Sequence, residues 1–253
     1  MLGTLGIVQV RSGANGPHRR RGNRDTRSFG GKPLLEWVVR RVTDSQRLDG
    51  VIVVLGSSPA ERKTAALVPP DVPVFCSDSG DALAQLTDAL QEYEARAVVR
   101  VCVDSPFIDP VLIDRLVCSA ESQHRCDYVG YSQADGRPAI LSPLGMFAEW
   151  CRADSLREAN RLAEHPADRD QVTRYIYSHP ERFNIRLIPV PAALDRDDVR
   201  LAIESEEDWE HAQTIYDALG PDDLDWQGIA GLLDHHPALR QRMADLNRSY
   251  SQT

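Results

Sequence analysis

The chain has 253 residues, 42% hydrophobic and 26% charged, the makeup of a soluble protein with one large α/β domain or two small ones, which excludes disorder and fibres. Its 29 basic residues face 38 acidic ones for a net charge of −9, so neither nucleic acid nor an anionic membrane draws the molecule as a whole, and any polyanion needs a local basic site. No apolar stretch approaches the roughly 20 residues that span a bilayer, and Met1 to Val10 runs directly into a strand-like segment without a basic head or a small-residue cleavage site; a cytoplasmic location is expected.

Short apolar runs alternate with helix-period stretches through the first half, the pattern of a parallel sheet flanked by helices. Strands are expected at Thr4 to Val10, Val51 to Gly56, Val72 to Cys76, Ala97 to Val103 and Asp127 to Tyr131. Helices are expected between them, at Pro33 to Val42, Ala60 to Leu67, Asp81 to Ala95 and Pro110 to Ser119, with Pro33 and Pro110 suited to a first helical turn. The fold class read from this is α/β, Rossmann-like, an open and mostly parallel sheet. In such sheets ligands sit beyond the carboxyl ends of the strands, so Arg11, Ser77 and Asp104 are expected to share one crevice.

The second half predicts helices from Pro143 to His165 and Arg169 to His179, extended pieces at Phe183 to Val190 and Val199 to Ile203, and a helix from Glu206 to Leu219. Asp222 to Tyr250 reads as two short amphipathic helices broken at Pro237. The expected division is a domain of residues 1–220 with a helical tail, 221–253, packed on it. The tail's apolar stripe (Ile229, Leu232, Leu233, Leu239, Met243) suits packing on the sheet's helices or pairing with a second subunit as a homodimer; the former is the preferred reading.

The five cysteines, Cys76, Cys102, Cys118, Cys126 and Cys151, form no C-x-x-C pair and no zinc-finger spacing with a histidine, so neither a disulfide framework nor structural zinc is expected. Between Arg11 and Lys32 the balance inverts: six arginines and one lysine oppose only Asp25, a local charge of +6. Gly13, Gly16, Gly22, Gly30, Gly31 and Pro17 make this segment a loop, and it ends at a helix start. Small residues let backbone approach a phosphate, and guanidinium forks bind its oxygens, so a triphosphate suits the segment as well as plain solvation of a basic loop does. The sequence after the first strand is R-S-G-A-N-G rather than G-x-G-x-x-G, and no G-x-x-x-x-G-K-[ST] occurs, which argues against a dinucleotide fold and a P-loop.

Ile7-Val8-Gln9-Val10-Arg11-Ser12-Gly13, followed by Phe29-Gly30-Gly31-Lys32-Pro33-Leu34-Leu35-Glu36-Trp37-Val38, resembles the opening of the cytidylyltransferase family that includes 3-deoxy-manno-octulosonate cytidylyltransferase (CMP-Kdo synthetase), in the branch of the spore-coat polysaccharide biosynthesis protein F type. Three further stretches carry the resemblance: Val98 to Pro110, Val172-Thr173-Arg174-Tyr175-Ile176, and Arg200 to Asp208. It covers nearly the whole chain and implies a nucleotidyltransferase (nucleotide-diphospho-sugar transferase) fold. It also implies transfer of CMP from CTP to a sugar acid or related sugar, with Mg²⁺ and release of pyrophosphate, in polysaccharide biosynthesis.

Under that resemblance Arg11, Ser12, Gly13, Arg19, Arg20 and Arg21 would hold phosphates, with Lys32 nearer the rim, and Ser77 and Asp81 would border the base or sugar pocket. Asp104, at the carboxyl end of a buried strand, is the first metal candidate, its structural alternative being a turn-capping Asp before Pro106. Glu204 is the second, where the family usually has Asp; its extra methylene displaces the carboxylate by more than about an ångström unless the backbone compensates. Its alternative role is to precede a helix capped by Ser205, with Asp208 at the capping-box position.

The sequence departs from the family elsewhere. Ala14 to Arg21 replaces the S-T-R-L-P-G-K run, leaving arginines where a lysine is expected. Gln85 stands for an arginine of the D-V-L-x-R motif, and Gln171 for a common histidine. Each change removes a charge or a proton-transfer group, so a non-catalytic homologue that binds a nucleotide or nucleotide-sugar and acts as an assembly or regulatory partner is the rival reading. His235 and His236 point to different sides of a helix and are read as surface residues. Trp37, Trp150, Trp209 and Trp226 are placed on helices as packing residues.

Overall fold

The computed structural model describes residues 2–10, 26–123 and 125–251. Strand β1 (Leu2–Gln9) is followed, after residues 11–25, by a two-stranded ribbon of β2 (Ser28–Phe29) and β3 (Lys32–Pro33) and by helix α1 (Leu34–Thr43). There follow β4 (Gly50–Gly56), α2 (Pro59–Ala65), β5 (Val74–Ser77), α3 (Ala82–Glu92), β6 (Ala95–Cys102) and α4 (Pro110–Glu121). The second half holds β7 (Tyr128–Ser132), β8 (Glu149–Arg152), α5 (Ala153–Leu162), α6 (Pro166–Asp170), α7 (Arg174–Tyr177) and β9 (Ile185–Pro189), then α8 (Glu206–Leu219), α9 (Trp226–His235) and α10 (Pro237–Ser251).

Seven strands form one sheet in the order β5-β4-β1-β6-β8-β7-β9, parallel except for β8, which runs antiparallel to β6 and β7. Both faces are covered, which is why these strands read as unbroken apolar runs rather than alternating ones. Val8, Val53, Val99 and Val101 face the layer containing α1, α4, α8 and α9. Leu5, Ile7, Ile52, Val54 and Val98 face α3 and α5. From the tail, Ile229, Leu233, Leu239 and Met243 are buried in the first of these cores.

Three expected elements differ, and one of them is the stretch from Arg169 to His179, which is not one helix: α6 ends at Asp170 and α7 begins at Arg174, with residues 171–173 non-helical between them. The segment from Pro143 is not a continuous helix: it runs irregularly to β8, and only α5 is helical. Gly145 adopts φ +59°, and a Cβ there would lie 2.2 Å from the Ala202 backbone nitrogen, so this stretch is shaped by its contact with 202 rather than by its own periodicity. Trp150 consequently lies on a strand, opposite Val99 and Val129. Val199 to Ile203 joins no strand; instead the Leu201 and Ala202 amides donate to the Pro143 carbonyl and the Ile203 amide to the Asp104 carbonyl.

Candidate active site

A cavity of about 470 Å³ opens beyond the carboxyl end of β6, a size within the usual range for small-molecule sites. Its wall is assembled from Arg100, Cys102 and Asp104 at the end of β6, the segment 133–149, Gln171, Thr173 and Tyr177 around α7, residues 196–204, and Asn247 and Tyr250 of α10. Asp104 and Glu204 both line it. The 2.9 Å bond from the Ile203 amide to the Asp104 carbonyl sets the two segments side by side.

Asp104 owes its place to strand geometry. The Val103 amide still bonds to the Gln9 carbonyl of β1, and the chain then turns, with the Ser105 amide donating to Cys102. Asp109 caps the helix that follows, accepting from the Val111 and Leu112 amides at the start of α4 and from the Trp226 amide of α9. Glu204 precedes α8, whose cap is the Ser205–Asp208 capping box expected from the sequence. Asp208 also accepts from the Glu204 amide at 2.9 Å, and Arg200 donates to the Glu204 carboxylate at 2.8 Å. Capping and cavity lining therefore coexist at this position.

The cavity's inner wall carries a buried polar network that the sequence reading did not single out. Arg100 and Glu149 are register partners across β6 and β8 and form a 2.7 Å ion pair with both side chains almost wholly buried. Arg100 also donates to the Gln9 side-chain oxygen at 2.8 Å and to the Cys102 sulfur at 3.0 Å. Glu149 accepts from the Tyr128 and Thr173 hydroxyls, both at 2.6 Å. Burial alone would lower the pKa of Arg100, but the Cys102 sulfur, Glu149 and Asp104 outweigh it and raise it, so the guanidinium is a permanent cation. The Tyr177 phenol is pushed up to about 12, first by burial and then by Glu149, and stays a neutral donor. A signal existed: Arg100 interrupts the apolar run Val98 to Val103, where a charge must find a partner.

Other expected site residues are placed elsewhere. The Ser77 hydroxyl donates to Asp88 at 2.7 Å. Asp81 caps α3 by accepting from the Ala84 amide and pairs with Arg169 at 2.8 Å. Lys32 sits on the ribbon, 3.5 Å from Glu36. These three stand outside the cavity's lining. Gln85, at the family's arginine position, braces the turn before α3 by donating to the Ser79 carbonyl, whereas Gln171, at the histidine position, lines the cavity. Arg11, Ser12, Gly13, Arg19, Arg20 and Arg21 lie outside the described residues. All five cysteines are free. Among the described residues no cluster of three or more His, Cys, Asp or Glu side chains is arranged to hold a metal ion, and no helix is long and apolar enough to cross a membrane.

A family model described as the MobA-like NTP transferase domain matches residues 15–180. The chain belongs to this family. Among relatives of the MobA-like transferase, the spore coat polysaccharide biosynthesis protein SpsF of Bacillus subtilis is 26% identical over 249 residues, 95% of this chain and 98% of that one. A cytidylyltransferase from Leptospira borgpetersenii superposes with a TM-score of 0.81 at 20% identity, covering 95% of this chain and 98% of that one. A CMP:2-keto-3-deoxy-manno-octonic acid synthetase complexed with CTP gives a TM-score of 0.61 at 14% identity, covering 85% and 99%. Within the MobA-like transferases this chain is thus similar in sequence to SpsF and in fold to two cytidylyltransferases, one of them a CMP-Kdo synthetase, and the fold is that of the nucleotide-diphospho-sugar transferases.

Proposed function

We propose that this chain transfers CMP from CTP to a sugar acid or related sugar, with release of pyrophosphate, as a cytoplasmic step in making a surface polysaccharide. The observation that carries the reading is the meeting of Asp104 and Glu204 in one cavity at the carboxyl end of β6. SpsF, similar over nearly the whole chain, supports the polysaccharide setting; five free cysteines accord with a reducing compartment. Residues 1–220 would form the transferase unit, with 221–253 as its tail.

Two carboxylates lining one cavity are donor chemistry that a hard divalent cation takes, phosphate oxygens and water filling the remaining positions. Asp104 and Glu204 therefore fit Mg²⁺, which when bound would neutralise charge on the α-phosphate. In this reading Arg11, Ser12, Gly13, Arg19, Arg20 and Arg21 would bind the phosphates, with Lys32 nearer the rim, and Ser77 and Asp81 would border the base or sugar pocket. The acceptor hydroxyl oxygen attacks the α-phosphorus in line and loses its proton to solvent; the new P–O bond forms as the bond to pyrophosphate breaks. No covalent enzyme intermediate is needed, and the chain's part is to position and to screen charge.

Pyrophosphate release is the test: protein, Mg²⁺, each nucleoside triphosphate and a panel of sugar acids. Release with CTP, lost at least 100-fold in Asp104→Asn, is expected. Full turnover by Asp104→Asn refutes the metal assignment, and CMP binding by calorimetry without release for any acceptor supports the non-catalytic rival.

A further inference from the structure

The carboxylate of Glu204 is not left to find its own position. Arg200, whose side chain is 2% exposed, donates to it through Nη2 at 2.8 Å and holds both oxygens of Asp208 through Nε at 2.6 Å and Nη2 at 3.1 Å. That occupies two edges of the guanidinium plane. The rest of Arg200 is held from the last turns of α10: the Tyr250 ring stacks over the guanidinium, 4.4 Å from its centroid, and the Asn247 side-chain oxygen accepts from Nη1 at 3.5 Å. Asn247 also ties down the segment leading to Arg200, donating to the Asp197 carbonyl at 2.7 Å and the Val199 carbonyl at 3.3 Å. Both α10 residues line the cavity. Tyr250 is 43% exposed and belongs to neither hydrophobic core, so apolar burial does not account for its place.

We infer that Asn247 and Tyr250 are positioning residues of the active site, through which the last turns of α10 orient Arg200 and so aim the Glu204 carboxylate at the divalent cation. This rests on the reading above that Asp104 and Glu204 hold such a cation. It answers a specific geometric difficulty. A glutamate has one more rotatable bond than the aspartate expected at this position, and an acid with that freedom fills a near-octahedral site poorly unless something outside the site fixes it. A planar guanidinium does so only if its own plane is fixed, and a ring stacked on its face with hydrogen bonds along its edges supplies that.

The test is Mn²⁺ binding to the full chain in the presence of CMP, read from the EPR signal of free Mn²⁺, alongside Mg²⁺ dependence of pyrophosphate release. Tyr250→Leu and Asn247→Ala are expected to weaken Mn²⁺ binding roughly 3- to 10-fold, while Tyr250→Phe stays within about 2-fold of the parent. In Tyr250→Leu and Asn247→Ala, Mn²⁺ binding is expected to fall by a larger factor than metal-free CMP affinity by calorimetry, and thermal melts establish that all three variants are folded at the assay temperature. Parent-like Mn²⁺ affinity in Tyr250→Leu and Asn247→Ala, with Asp104→Asn still abolishing binding, overturns the inference and leaves the metal site standing. An equal loss in Tyr250→Phe and Tyr250→Leu also overturns it, since the ring face would then be irrelevant. Absence of Mn²⁺ binding by the parent refutes the metal reading itself, and with it this role for α10.

Discussion

Replacing Glu149 is the most direct test of how the cavity wall is held. Its carboxylate is 1% exposed and has three partners: Arg100 at 2.7 Å, and the Tyr128 and Thr173 hydroxyls at 2.6 Å each. Glu149→Leu leaves the Arg100 cation buried without its counter-charge, a cost of about 3–5 kcal/mol. It also strips two buried hydroxyls of an acceptor, about 1–3 kcal/mol each. Together these reach the whole stability of a typical domain, about 5–15 kcal/mol, so this variant should fail to accumulate folded. Glu149→Gln keeps the volume and one acceptor oxygen but not the charge, and a cost of about 3 kcal/mol is expected. At about 2–4 °C per kcal/mol for a chain of this size, its melting midpoint should fall by about 6–12 °C. Arg100→Met with Glu149→Leu removes both charges and should recover more than half of what Glu149→Leu loses. The soluble folded yield of the four proteins, and thermal melts of those that fold, decide it. A Glu149→Gln midpoint within about 2 °C of the parent, or a double variant no better than Glu149→Leu, would show that the pair is not coupled as the geometry requires.

Three further perturbations bear on the same end of the molecule. Gly145→Ala places a Cβ 2.2 Å from the Ala202 nitrogen at a φ of +59°; left-handed strain of about 1–2 kcal/mol and overpacking of about 1–3 should lower the midpoint by at least 4 °C, and an unchanged melt would refute the contact. Ser205→Ala removes the hydroxyl that accepts from the Asp208 amide at 3.1 Å; about 1 kcal/mol of stability should go, and because Glu204 is adjacent the Mg²⁺ requirement should rise while metal-free CMP binding holds. His211 is buried, its Nδ1 has no hydrogen-bond partner, and burial lowers its pKa. The unfolded chain therefore takes up this proton first: the stability from neutral His211 is present above about pH 6.5 and is lost as pH falls below it. The parent's midpoint should thus fall more steeply than that of His211→Met between pH 7 and 5, and parallel curves would rule the group out.

The parallel half of the fold was legible because burial on both faces writes strands as apolar runs too short for helices. β8 was not. Its four residues begin with Glu149 and end with Arg152, and both charges are satisfied only by partners far along the chain, Arg100 on β6 and Asp127 just ahead of β7. A local reading sees two charges at the ends of a tryptophan-bearing segment and assigns a helix. Val199 to Ile203 failed for the converse reason: the residues are buried and apolar enough for a strand, yet their amides bond to the irregular 143 segment and to Asp104.

The two carboxylates were found for different reasons, and the difference explains what else was missed. Asp104 follows from strand geometry alone, because the residue just past a buried central strand faces the crevice whatever follows it. Glu204 came only through resemblance, since locally it is one acid among several at the start of α8. Tyr250 has no local signature at all: it is a half-exposed aromatic at the end of a helix predicted for its apolar stripe. What it does becomes visible only once Arg200 is buried beneath it, and Arg200 is buried because Asp208 must both cap α8 and take its charge. A single aspartate thus ties helix start, buried cation and cavity wall together. Substituting Asp208 would disturb all three at once, so the narrower changes at Tyr250 and Ser205 are the ones that can separate positioning from folding.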